Sequence, residues 1–191
     1  MQLVTRVSRE TGSSWAARRR TSRPARCGFA PAGGGCPPYS TLCRGTDKFI
    51  CIGLNYTDHA AEAKITVPPA PIVFMKATSA NCGPDDEIEL PRGGVKLDWE
   101  VELAVVIGKP AKYVTESRSL DHIAGYCVVN DVSERAFQIE HHGQWTKGKS
   151  HDTFGPVGPW LVTADGIADP QSLSIWLTVN ERPRWLMVCA I

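Results

Sequence analysis

Asp98-Trp99-Glu100-Val101-Glu102-Leu103-Ala104-Val105-Val106 reads as a β-strand with an anomaly in it. Side chains two apart on a strand share a face. Glu100 and Glu102 therefore project together, while Trp99, Val101 and Leu103 face the other way. Two like charges side by side on an otherwise apolar strand repel each other unless a positive charge lies between them. A divalent cation satisfies that condition; a solvated edge strand is the competing reading, and spacing alone does not choose between them.

A second apolar strand, Ile123-Ala124-Gly125-Tyr126-Cys127-Val128-Val129-Asn130, ends at Asp131. Asp131 is the natural third ligand. Carboxylate oxygens are hard donors and select Mg2+, Mn2+ or Ca2+ over zinc or copper. Three carboxylates against a dication leave coordination positions for water or a chelating substrate.

Other groups fall into pairs. His59 and Glu62 are three apart in a short helical stretch after the turn at Asn55, and so share a face. A carboxylate that accepts from one imidazole nitrogen fixes the tautomer and raises the basicity of the other nitrogen, as a general base requires. An ordinary surface helix contact explains the same pair. Arg135 and Gln138 are likewise three apart, on a helix expected over Ser133 to Glu140. Arg suits bidentate recognition of a carboxylate. Lys149 falls in a polar loop expected from Gly143 to Gly155, where it would stabilise an enolate or oxyanion. Taken singly, each of these is equally an exposed charge.

Around these groups the chain splits in two. Residues 1–46 hold eight Arg, no Lys and one acid, Glu10, and are rich in Ser, Gly and Pro. No sustained period runs through them, so they are expected to be disordered. Three readings of them stand: a solvated tail, an organelle transit peptide, or sequence from another reading frame. The remainder is acidic, and the whole chain of 191 residues has a formal net charge of +1. The basic start lacks the interleaved aromatics of single-stranded nucleic-acid platforms, so a nucleic-acid module is the weakest of the functional readings.

The seven cysteines form no CxxC pair, which argues against a zinc site or a disulfide framework. Cys51 and Cys127 lie in apolar runs and are expected to be buried and reduced, as in a cytoplasmic protein; a mitochondrial location goes with the transit-peptide reading. No apolar run approaches the roughly 18 residues of a membrane span. Strands outnumber helices and there are no regular βαβ units, which predicts a β-rich α+β fold.

Four blocks occur in a recognisable order: Gly53-Leu54-Asn55-Tyr56-Thr57-Asp58-His59, Asp98-Trp99-Glu100-Val101-Glu102-Leu103, Asn130-Asp131-Val132-Ser133-Glu134-Arg135 with Gln138, and Gly148-Lys149-Ser150 before Asp152-Thr153-Phe154-Gly155-Pro156. In this the chain resembles the fumarylacetoacetate hydrolase superfamily, from about Lys48 to Pro183. The resemblance implies a mixed β-sandwich roll in a homodimer. It implies Mg2+, or Mn2+ or Ca2+, on Glu100, Glu102 and Asp131, with His59 and Glu62 activating water. It also implies Arg135, Gln138 and Lys149 on the substrate. Substrates of the family are 2-oxo or 2,4-dioxo acids that are hydrolysed, decarboxylated or isomerised, and some relatives are ureidoglycolate lyases.

The resemblance covers residues 47–184 as a partial catalytic domain. Residues 1–46 and the apolar end 185–191 match nothing in the family pattern. The expectation is a roll incomplete at its C-terminus, with Trp185 to Ile191 left without a partner strand. An inactive remnant that keeps the metal ligands is the alternative to an enzyme.

Overall fold

The computed structural model describes residues 3–8, 42, 45–62, 64, 66, 68–180 and 182–188, with the backbone alone at 3–8, 62 and 183–188. The fold is β-rich α+β, built from short sheets around the strand that carries Glu102, with Glu100 immediately before it. That strand, β6 (Val101–Ile107), follows β5 (Leu97–Asp98). It pairs antiparallel with β7 (Ile123–Asn130), Val101 opposite Asn130 and Glu102 opposite Val129. The strand is thus shorter than the alternation predicts: Trp99 and Glu100 lie between β5 and β6. Backbone pairing reaches past the break, because Asp131 N donates to Glu100 O at 2.8 Å, and the Asn130 side chain adds to it by accepting from Glu100 N at Oδ1, 3.1 Å away. A short strand β10 (Val162–Thr163) covers the other edge of β7.

Against β6 packs β11 (Ser174–Val179), whose inward residues alternate as a half-buried strand should. Leu173, Ile175, Leu177 and Val179 form the main core cluster with Val101 and Tyr56, and Trp99, Leu103 and Val128 close over it. Tyr56 also accepts from Leu103 N through its hydroxyl at 2.9 Å, which ties this core to β6.

Both ends of the chain add to β11. It lies between β1 (Leu3–Ser8) and β12 (Arg182–Val188), antiparallel to each. This corrects two expectations. Within the Arg-rich start, Leu3–Ser8 is a strand, consistent with the β-branched run Val4-Thr5 and Val7. The apolar end has a partner, because the turn at Asn180 folds it back along β11. The remainder of residues 1–46, apart from Leu42, Gly45 and Thr46, and residues 189–191 lie outside the described set.

The site-bearing elements are β2 (Phe49–Gly53) and its antiparallel partner β3 (Ile72–Lys76), helix α1 (Thr57–Glu62), and the stretch after β7. That stretch is not the helix expected from Ser133. Ser133–Glu134 forms β8, paired with β5, and a π-helical turn follows at Ala136–Glu140. The cause is the buried Glu134 carboxylate. It accepts from Val95 N at 2.9 Å, Lys96 N at 2.6 Å and Phe137 N at 2.7 Å, drawing the 91–96 segment and the start of the turn together. Burial alone would raise the Glu134 carboxyl; the three backbone donors hold it below the usual range. The parallel pair β4 (Asn81–Cys82) and β9 (Gly155–Pro156) completes the frame. Among the described residues, no helix is long and apolar enough to cross a membrane.

Candidate metal centre

The two-residue period of β6 sends Val101 and Leu103 into the core and Glu100 and Glu102 to the opposite side. There they meet Asp131, the first residue after β7. Ligand oxygens of Glu100, Glu102 and Asp131 lie within 4.8 Å of one another, a spacing that one cation can bridge. They form the floor of a cleft of about 220 Å³, whose walls include His59, Arg135, Gln138 and Lys149. The structure therefore brings seven of the eight candidate residues to one cleft. The eighth, Glu62, ends α1 three residues beyond His59, and its side chain lies outside the described set.

Lys149 is not on an exposed loop. It ends helix α2 (Trp145–Lys149) and is 2% exposed. Gly148 permits this: a Cβ there would sit 2.5 Å from Gln138 N and 2.6 Å from Glu134 O, so only glycine lets α2 approach the π-turn so closely. Thr146 Oγ1 donates to Met75 O at 2.9 Å, and Ser150 Oγ accepts from Ala77 N at 2.8 Å, fastening α2 to the end of β3. Trp145, four residues before Lys149, shares its face and lies edge-on to Phe74, with ring centroids 5.3 Å apart. Gly53 admits the indole, since a Cβ there would lie 2.6 Å from Trp145 Cζ3.

The cations are committed to the carboxylates. Lys149 Nζ lies 2.7 Å from Glu100 Oε1 and 2.5 Å from Asp131 Oδ2, and 5.0 Å from the Phe74 ring centroid. Lys76, a residue the sequence reading passes over, lies 2.5 Å from Asp131 Oδ1. Arg135 binds Asp98 Oδ2 through Nε and Nη2, Glu100 Oε1 through Nη2 at 2.9 Å, and Gln138 Oε1 through Nη1 at 2.9 Å. Ser133 Oγ donates to Glu100 Oε1 at 2.7 Å. Asp98, Ser133 and Lys76 thus support the site, and strand alternation signals one of them in the sequence. In Ile72-Val73-Phe74-Met75-Lys76, Lys76 falls on the inward face with Ile72 and Phe74.

These contacts set the ionisation pattern. Burial works against the Glu100 carboxylate, yet Lys149 and Arg135, with the Ser133 hydroxyl, hold its carboxyl below the usual range. Burial likewise opposes the Lys149 ammonium, and Glu100 and Asp131 overcome it and raise its pKa. Lys76 shifts the other way: burial lowers it despite Asp131. Glu102 stands apart. Among the described residues its carboxylate takes no hydrogen bond, and burial, Asp131 and Glu100 push it up from 4.5 to about 8. A partly buried carboxyl without a protein donor, beside two carboxylates, fits a position that a hard dication completes.

The fold agrees with the comparisons to known proteins. The model of the fumarylacetoacetate hydrolase C-terminal domain matches residues 48–185, and the chain belongs to that family. A solved structure of 2-hydroxyhepta-2,4-diene-1,7-dioate isomerase from Mycobacterium marinum is 40% identical, with a TM-score of 0.65 over 75% of this chain and 51% of that one. A fumarylacetoacetate hydrolase from the psychrophile Exiguobacterium antarcticum is 36% identical, with a TM-score of 0.66 over 80% of this chain and 52% of that one. A Burkholderia multivorans protein, provisionally named a hydrolase, is 67% identical over 133 residues, 70% of this chain and 47% of its own. The chain spans about half the length of the curated relatives it matches.

Proposed function

We propose that the cleft binds a divalent cation, Mg2+ with Mn2+ or Ca2+ as substitutes, through Glu100, Glu102 and Asp131. We further propose that it acts on a 2-oxo or 2,4-dioxo acid, hydrolysing a C–C bond of an acylpyruvate-type substrate. The observation that carries this reading is the convergence of three carboxylates at metal-ligand spacing with His59, Arg135, Gln138 and Lys149 around one cleft. A bound dication would polarise the 2-oxo group as a Lewis acid.

The remaining chemistry belongs to side chains of the chain. Arg135 fixes the Gln138 amide by donating to its Oε1, which leaves the Gln138 NH2 to donate to a substrate carboxylate. In this reading His59, its tautomer held by Glu62, takes a proton from water. The water oxygen adds to the C4 carbonyl and the C3–C4 bond breaks. The electron pair stays on the C3 fragment as the enolate of a 2-oxo acid, and the imidazolium returns a proton to C3. Lys149 supplies positive charge for the enolate oxygen. The intact protein is a cytoplasmic homodimer in the same reading; a mitochondrial location accompanies a transit peptide in residues 1–46.

A second reading, isomerisation, draws on the isomerase at 40% identity. There the proton shifts along the carbon chain and no water adds. Pyruvate release from an acylpyruvate separates the two, because isomerisation releases none. With hydrolysis, His59→Ala should lower turnover by about 10²- to 10⁴-fold with Mn2+ affinity little changed. Lost Mn2+ affinity with turnover retained would remove His59 from the role of base.

A further inference from the structure

Asp131 is gripped from two sides by two different lysines. Lys149 lines the cleft; Lys76 does not. Lys76 ends β3, where alternation turns Ile72, Phe74 and Lys76 inward; Phe74 reaches the cleft wall and Lys76 lies behind it, 1% exposed. Its ammonium donates to Asp131 Oδ1 at 2.5 Å and to Val132 O at 3.0 Å. Lys149 holds the other oxygen, Oδ2, at 2.5 Å, and bridges to Glu100 at 2.7 Å.

The two contacts differ in what a cation would do to them. Lys149 bonds the same two carboxylates that a dication would bridge, so the two positive charges compete for those oxygens. Of the three carboxylates Lys76 binds only Asp131, and from outside the cleft. Once a cation weakens the hold of Lys149, Lys76 is the ammonium that still keeps Asp131 in place. A buried ion pair adds little net stability, since desolvating both groups offsets their attraction. Stability therefore gives little reason for a lysine here, whereas orientation of a ligand does.

We propose that Lys76 is a positioning residue: it fixes the Asp131 carboxylate within the Glu100–Glu102–Asp131 cluster so that the cluster can take a divalent cation. This rests on the cation reading of the cleft, and the experiment separates the two. Mn2+ is titrated into the wild-type chain and into Lys76→Met, a variant of similar shape without the ammonium. The expected result is wild-type binding and affinity about 10- to 100-fold weaker in the variant, the usual range for removing a group that orients a metal ligand.

In parallel, the wild-type chain with ¹⁵N-labelled lysine is titrated with Mg2+. The buried Lys76 ammonium resonance should shift on saturation, a readout that does not depend on the variant folding. Equal Mn2+ affinity in Lys76→Met, or a Lys76 resonance unmoved by saturating Mg2+, would overturn the positioning role while leaving the cation site. No Mn2+ binding by the wild type would overturn both.

Discussion

The two faces of β6 carry opposite chemistry on one backbone. Val101 and Leu103, with Trp99 just before them, pack against Ile175, Leu177 and Val179. Glu100 and Glu102, between and beside those residues, face a cleft with Asp131 and three cations around them. A strand repeats every two residues, so locking one face into a core fixes the direction of the other. Core packing here doubles as the mount for the carboxylates. The difference lies in what each face tolerates: the apolar face needs shape, and the acidic face needs charge balance.

The largest test of that contrast is on the apolar face. Leu177→Ala should cost about 2–5 kcal/mol of folding free energy in urea unfolding, the range for a buried leucine truncated in a core. Mn2+ affinity of the folded fraction should change little. A variant with nearly full stability and a weakened site would break the division between the two faces.

The acidic face should respond to pH instead. Its Glu102 carboxyl is pushed from 4.5 up to about 8, so the folded chain holds this proton more tightly than the unfolded chain. The contribution of Glu102 to stability therefore falls as pH rises from 4.5 to about 8. With metal chelated, Glu102→Gln should melt a few degrees above wild type at pH 8, and the two should converge toward the acid end of that window. Excess Mg2+ should restore the wild type at pH 8 without helping the variant. A wild type and variant that keep a constant difference across the window would contradict the assignment of this proton to Glu102.

Legibility in the sequence followed interaction range. The glutamate pair was readable because a period of two is local, and Asp131 because it ends an apolar run. Arg135 and Gln138 keep their three-residue relation, although a π-turn and a two-residue strand replace the expected helix. That change comes from Glu134 bonding Val95 and Lys96, nearly 40 positions away, which no local pattern carries. Lys149 looked exposed because polar neighbours surround it in sequence; its burial depends on the contact that Gly148 allows with the π-turn. Lys76 carried a local signal, a lysine on the inward side of a strand, but its partner Asp131 is 55 residues away. The strands Leu3–Ser8 and Arg182–Val188 were hidden for the same reason, since β11 rather than their own residues gives them a place.

The most direct measurement is calorimetric titration of Mn2+ into the wild-type chain and into Glu100→Ala. A single site is expected in the wild type and should be lost in the variant. Equal binding by the two chains, or none by the wild type, would contradict this expectation.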